Sequence, residues 1–299
     1  LGSVDAFNQE FGCDFIQTGT NMLDENLIAK MNSTCREPIH VLDEGLYKVW
    51  SLPERDRIYV AGVDISEGVG AAASCIQILD ITELSNIEQV ATFHSSTTSP
   101  YEFTTKLNSI LKHWGQPIAL IERNNCGAQV VDMLKNNYYY PNMVTYTGSV
   151  KTKSRVGVLA HTNTKYRGVM NMRYWVNEQK GVTIRDKDLV QEFKTFIRRD
   201  NGTWGHIKAQ NVYDDRVMSI LWALFILSED LISSYFDVTL GPNNKPIGIS
   251  QSNFAPGEFE DMGVGSISDA DIVPAMFGGL SIDSMESNKE IPGGVQDYI

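Results

Sequence analysis

Asp64 closes the apolar run Tyr59–Val63, Glu122 closes the apolar run "PIALI", and Asp214 and Asp215 open the segment "VYDDRVMSILWALF". These acids are far apart in sequence, yet each sits where a core element ends or begins. If the elements bring them to one edge, three or four carboxylates repel one another. Taken out of water, their anionic forms need a counter-charge. Hard divalent cations supply it, and Mg²⁺, which accepts oxygen ligands and keeps several waters, needs few carboxylates. Two such ions, about 3.5–4 Å apart, activate an attacking water and stabilise the leaving oxygen at a phosphodiester. The residue types therefore point to phosphodiester hydrolysis with two Mg²⁺ or Mn²⁺ ions.

Each acid also has a plainer role. Asp at a strand end is a common turn residue. Glu122 can serve as the partner of a surface cation. An Asp pair at a helix start caps the helix and matches its dipole. What separates the two readings is whether the fold places all of them together.

The elements that must do this are legible as patterns. "RIYVAGVD" (57–64), the alternating "SCIQILDI" (74–81) and "IEQVATFHS" (87–95) read as three strands with short connectors, hence an antiparallel meander. In "SPYEFTTKLNSILKHWG" (99–115), Ser99 suits an N-cap, Pro100 the first turn, Glu102 the third position and Gly115 the stop. "PIALIE" (117–122) is continuously apolar, as in a central parallel strand. A helix at 127–139, a strand at 143–148, a helix over roughly 163–180, an amphipathic helix at 188–199, a strand near 203–209 and a long apolar helix at 214–233 follow. Three meander strands, then helix, strand, helix, strand, is the order of the RNase H-like α/β fold. It predicts a mixed sheet of five or more strands flanked by helices. There Asp64 and Glu122 end neighbouring strands, and the last helix carries Asp214 and Asp215 to the same edge.

The wider chain divides into three zones. Residues 1–56 are mixed and end in the linker-like "SLPERDR"; residues 57–233 hold the alternating strands and helices. Residues 234–299 are rich in Gly, Pro, Ser and Asp, with few helix or strand periods, although "DADIVPAMFGGL" (269–280) has the look of a docking segment. No stretch approaches the roughly 20 apolar residues of a membrane span. The opening "LGSVDAFNQEFG" has neither a signal-peptide pattern nor an initiator Met, and reads as part of a longer protein. The four cysteines are scattered, without a CxxC pair, which argues against a zinc site or disulfide framework and fits a reducing cytoplasm.

Charge is unevenly placed. Of the net −12, residues from Ser228 onward contribute −10, leaving −2 for residues 1–227. Lys151, Lys153, Arg155, Lys165, Arg167 and Arg173 fall in a stretch, 151–175, that has no acid. That patch is either a solvated basic face or, beside a nuclease edge, a phosphate-binding surface for double-stranded DNA. The Gly-rich "DISEGVG" reads either as a tight hairpin or as the phosphate cradle of an actin-like nucleotide-binding module. In "NNCG" (124–127), Asn124 or Asn125 caps the following helix or faces a DNA phosphate. His94, His113, His161 and His206 show no metal spacing.

"GVDISEGVG", "IERNNCG" and "YDDRVMS" together resemble the strand-end acidic motifs of large terminase subunits of tailed bacteriophages, particularly the T-even-like kind. The resemblance covers about residues 5–232, and "FNQEFGCDFIQTGTNML" resembles the end of the terminase ATPase region. It implies the nuclease part of a DNA-packaging motor that cuts concatemeric viral DNA in the cytoplasm of an infected bacterium. Its implied partners are the ATPase domain, the portal protein and the small terminase subunit. No GxxxxGK[ST] is present. By motif match, Asp64, Glu122 and Asp215 correspond to the catalytic metal-binding acids, with Asp214 as an auxiliary ligand. The segment near 151–167 corresponds to a region of DNA contact. Related chains commonly carry a further Asp near Ala72, where this one reads "GVGAAASC". A module that docks to portal or ATPase without catalysis is the other alternative.

Overall fold

An apolar strand whose every residue is buried can only lie in the middle of a sheet, and Tyr59–Val63 is such a strand. The computed structural model of the chain describes residues 20–70, 72–147, 154–178, 181–229, 231–241 and 246–251. In chain order, β1 (Thr20–Asn21) and helix α1 (Glu25–Thr34) lead to the hairpin β2 (His40–Leu42) and β3 (Tyr47–Val49). The meander follows as β4 (Tyr59–Asp64), β5 (Ser74–Asp80) and β6 (Ile87–Ser95), then α2 (Pro100–His113), β7 (Ile118–Ile121) and α3 (Gly127–Asn136). Next come β8 (Thr145–Tyr146), β9 (Arg155–Val156), α4 (Thr162–Arg173), β10 (Val182–Thr183) and α5 (Lys187–Thr195). The remainder is β11 (Phe196–Arg198), β12 (Trp204–His206), α6 (Asp215–Phe225), α7 (Ile232–Tyr235) and the hairpin β13 (Phe236–Leu240) and β14 (Pro246–Gln251).

The main sheet has seven strands in the order β2-β3-β6-β5-β4-β7, with β10 also paired to β6. The meander is antiparallel, with Asp64 opposite Cys75, while β7 runs parallel to β4 with Ile121 beside Val63. This is the predicted mixed sheet, but it is wider than the middle zone. β2 and β3 come from residues before 57 and extend the sheet through β6. The C-terminal zone also differs from its pattern reading. Residues 236–251 contain a β-hairpin, whose short alternation is diluted by Gly and Pro; the 269–280 segment lies outside the described residues.

Alternation along β4 sorts its side chains between two faces. Val60 belongs to the large core formed with α4, α5 and α6, as does Leu120 of β7. Gly62 is on the same face, and a Cβ there would lie 2.0 Å from the Ser219 carbonyl oxygen and 2.3 Å from the Ala223 nitrogen. Only glycine lets α6 approach that closely. Asp64, two residues further on, continues that face, and the N-terminus of α6 lies one turn before Ser219. The same contact that packs the core thus brings the start of α6 towards the end of β4. On the other face, Phe103 of α2 meets Phe93, and Trp114 donates from its indole nitrogen to the Tyr47 hydroxyl at 2.8 Å.

Helix ends follow local rules where those are strong. Ser99 accepts from the Glu102 amide at 3.3 Å, Pro100 is the first helical residue, and Gly115 takes φ +71° just after the end of α2. Three expected helices are shorter than their apolar patterns. α4 gives way to a wider turn at Tyr174–Glu178, and α5 yields at Phe196 to β11. α6 tightens into i→i+3 bonds, Leu227 to Leu224 and Ser228 to Phe225, so the apolar run splits into α6 and α7.

Candidate active site

Asp64 and Glu122 end adjacent parallel strands, tied by the Glu122 amide donating to the Val63 carbonyl at 2.9 Å. Asp64 Oδ1 accepts from its neighbour, the Ile65 amide, at 2.9 Å. Glu122 Oε2 accepts from the indole N–H of Trp222, on α6, at 2.8 Å. Asp215, the first residue of α6, is buried and its Oδ2 accepts from the Ala73 amide at 2.9 Å, just before β5. Asp214 precedes it with one oxygen 2.9 Å from His206 Nδ1 and the other 3.5 Å from the Lys165 ammonium. The structure brings all four acids to one sheet edge.

The electrostatics show what that edge lacks. Burial raises the Asp64 carboxyl well above its usual range, and Glu122, Asp215 and Asp214 raise it further, with Lys165 opposing. Burial also raises Glu122, against the Trp222 hydrogen bond and Lys165. Asp215 is pushed up to about 6, chiefly by burial, with the Ala73 amide working against it and Asp214 adding to it. Burial acts on Asp214 too, but His206 and Lys165 outweigh it and hold that carboxyl below its ordinary value. Four acids therefore share Lys165, His206 and Arg216, and Arg216 is itself paired with three other acids.

The donor set is all carboxylate oxygen, the chemistry that Mg²⁺ and Mn²⁺ prefer. Among the described residues, no three His, Cys, Asp or Glu side chains stand close enough to hold an ion as they are placed. Asp214 is turned to His206 and Lys165, Asp215 to Ala73, and Glu122 to Trp222. The acids fit a divalent ion by charge and donor type.

The family described as the terminase RNase H-like domain matches residues 61–226, which contain all four acids. The chain belongs to this family. Among solved structures, it is similar to the large terminase nuclease of thermophilic phage G20c with bound magnesium. That match has 15% identity over 70% of this chain and 97% of the other, with a TM-score of 0.52. The same nuclease with bound cobalt matches at 16% identity over 70% and 97%, TM-score 0.51. The Thermus phage P74-26 large terminase nuclease domain matches at 17% identity over 69% and 97%, TM-score 0.50. At these identities the likeness establishes the shared RNase H-like fold of the terminase domain.

Around the acid edge of this terminase domain, the other predicted site residues separate. Lys165 lies inside the acid cluster, anchored on α4, with its ammonium 5.9 Å from the centre of the Phe196 ring. Gly168, one turn later, is what lets α4 approach Leu221 and Trp222. Arg155 is exposed on β9, and the exposed Arg167 donates to the Tyr146 hydroxyl at 2.8 Å. Lys151 and Lys153 lie outside the described residues. Asn124 is a tether: its amide nitrogen donates to the Ala160 carbonyl at 3.3 Å and its oxygen accepts from the Ala160 amide at 2.8 Å. Its side chain does not cap α3, whose N-cap is Cys126 with no side-chain bond. Both ends of the Asn124 amide are thus spent on backbone.

The Gly-rich segment is not a tight hairpin either. It is a loop laid against the residues after β6, with Gly70 donating to the Ser96 carbonyl at 2.8 Å. Gly68, at φ +71°, could carry no Cβ without striking the Thr98 carbonyl at 2.3 Å. Ala72 is exposed on this loop, beside the Ala73 amide that holds Asp215. His206, which spacing alone gave no role, is the main neutraliser of Asp214. Its lone position on β12 held no signal.

A second ionic cluster adjoins the first through Arg216. Its guanidinium lies 2.9 Å from Glu192, 3.4 Å from Asp186 and 3.6 Å from Asp188. Lys48 adds contacts of 2.8 Å to Asp188 and 3.8 Å to Asp186. His94 lies 3.2 Å from Arg216 and 3.9 Å from Asp215; burial and Arg216 lower it to about 3, so it is neutral.

Proposed function

We propose that this chain is a metal-dependent endonuclease that cuts concatemeric double-stranded viral DNA during genome packaging. The observation that carries the reading is the set of four carboxylates on one rigid edge with too few built-in cations to neutralise them. Membership of the terminase family and the shared fold support it. Asp64, Glu122 and Asp215 would hold divalent ions, with Asp214 as an auxiliary ligand. Two Mg²⁺ or Mn²⁺ ions, when bound, would supply Lewis-acid charge for phosphodiester hydrolysis.

The chain's own residues do the positioning. β4 and β7 fix Asp64 and Glu122 against each other, and the Gly62 contact sets the height of α6. Trp222 orients the Glu122 carboxylate, and the Ala73 amide orients Asp215. Arg155, on an exposed strand leading toward α4, is a candidate phosphate contact, as are Lys151 and Lys153. Double-stranded DNA, the ATPase domain, the portal protein and the small terminase subunit are the proposed partners, in the cytoplasm of an infected bacterium. The homologous nucleases with bound magnesium and cobalt are in keeping with a divalent requirement.

The test is plasmid cleavage with Mn²⁺ or EDTA, wild type beside Asp64→Ala. Cleavage by the wild type only with Mn²⁺, and none by Asp64→Ala, is expected. Equal cutting by a clean Asp64→Ala preparation would sink the assignment.

A further inference from the structure

The first turn of α6 leaves amides that need acceptors, and an Asp at the N-cap ordinarily provides one to the second or third residue. Asp214 occupies that position and makes no such bond; its oxygens go to His206 and Lys165. The two amides in question, of Arg216 and Val217, donate instead to Glu192 Oε2 on α5, at 2.8 and 3.2 Å. The other Glu192 oxygen accepts from the Arg216 guanidinium at 2.9 Å.

We infer that Glu192 is a positioning residue: it caps α6 from a neighbouring helix and so releases Asp214 and Asp215 to the carboxylate edge. Both carboxylates lie at the helix start, where an uncapped first turn competes for their oxygens. With Glu192 in place that competition is removed, and Asp214 turns outward to His206 and Lys165. α6 itself is held at Gly62, but its first turn projects beyond that contact. Glu192 is what fixes this turn, and with it the spacing between Asp215 and Asp64. The inference rests on the metal-binding reading above.

The experiment measures Mn²⁺ affinity by calorimetry on the full chain for wild type, Glu192→Ala, Glu192→Gln and Glu192→Asp. All are measured well below their melting temperatures, with plasmid cleavage run in parallel. Loss of a partner that orients metal ligands costs roughly 10–100-fold in affinity, and Glu192→Ala is expected in that range. Glu192→Gln keeps an oxygen for both amides and should recover most of the affinity. Glu192→Asp keeps the charge, falls one methylene short, and should resemble Glu192→Ala; it also serves if the alanine variant does not fold. KM for DNA should stay unchanged while the Mn²⁺ requirement rises. Wild-type Mn²⁺ affinity in the Ala or Asp variant, even with a lowered melting temperature, would overturn the inference. No Mn²⁺ binding by the wild type would instead overturn the functional reading on which it rests.

Discussion

Asp215 and Arg216 are adjacent in sequence and belong to two acid clusters with opposite neighbours. On the side of Arg216, the acids Asp186, Asp188 and Glu192 surround a guanidinium and the Lys48 ammonium. On the side of Asp215, the acids Asp64, Glu122 and Asp214 have Lys165 and His206, and Arg216 acts on Asp215 only behind the Ala73 amide and Asp214. Burial raises carboxyls in both clusters, but what opposes it differs. Around Asp186 and Glu192 the next largest influence is Arg216, which lowers both. Around Asp64 it is another acid, and the following two influences are acids as well. A structural cluster carries its own counter-ions; the acid edge leaves charge to be neutralised from outside. That contrast, more than the presence of acids, marks the site.

Removing a cation should therefore have very different effects in the two places. Arg216→Met takes the main cation from buried anions and leaves Asp186 only the more distant Lys48 ammonium, 3.8 Å away. Breaking a buried pair in this way costs about 3–5 kcal/mol, to be read from chemical denaturation. If Arg216→Met unfolds within about 1 kcal/mol of wild type, the matched cluster is not matched.

The next effect is on pH. Asp215 is raised to about 6, so the native state holds its proton more tightly than the unfolded chain does. Its stabilising contribution is complete below the unfolded carboxyl value and is lost as pH rises through about 6. In EDTA, wild-type stability should fall over that window relative to Asp215→Asn, and Mn²⁺ should reverse the fall. A metal-free difference between the two that is flat across the window would contradict the assignment of that shift.

Lys165→Met gives the smallest change. The lysine is half-buried and its pair with Asp214 is long, so metal-free stability should drop by no more than about 1 kcal/mol. With one positive charge gone from the acid edge, Mn²⁺ should bind more tightly. Weaker Mn²⁺ binding would mean that Lys165 supports the metal ligands instead of offsetting their charge.

What the sequence makes legible follows from the range of the interactions involved. The meander, the Ser99 and Gly115 signals and the strand-end acids are local patterns, and the structure has each of them in place. Strands β2 and β3, at one side of the sheet, are three residues each, too short for a period to show. β13 and β14 are hidden by Gly and Pro. α6 breaks where tertiary packing, not composition, decides. At the site, Asp64, Glu122, Asp214 and Asp215 were legible because each ends or begins an apolar run. Lys165 was legible as basic but not as a member of the acid cluster. His206, Trp222 and Glu192 carry no sequence signal for their contacts, which join residues 8, 100 and 24 positions apart. Asn124, an amide beside a helix start, has the pattern of a cap or phosphate contact, and only its Ala160 partner, 36 positions away, shows it to be a tether.

The central claim is that the acid edge takes its missing charge from a divalent metal. The most direct test is the melting temperature in EDTA and in Mn²⁺ at neutral pH, for wild type and Asp64→Asn. The account predicts that Mn²⁺ raises the wild-type melting temperature and leaves that of Asp64→Asn nearly unmoved. It also predicts that in EDTA the variant, relieved of one repelling carboxylate, is at least as stable as wild type. Equal stabilisation of both proteins by Mn²⁺, or of neither, would contradict it.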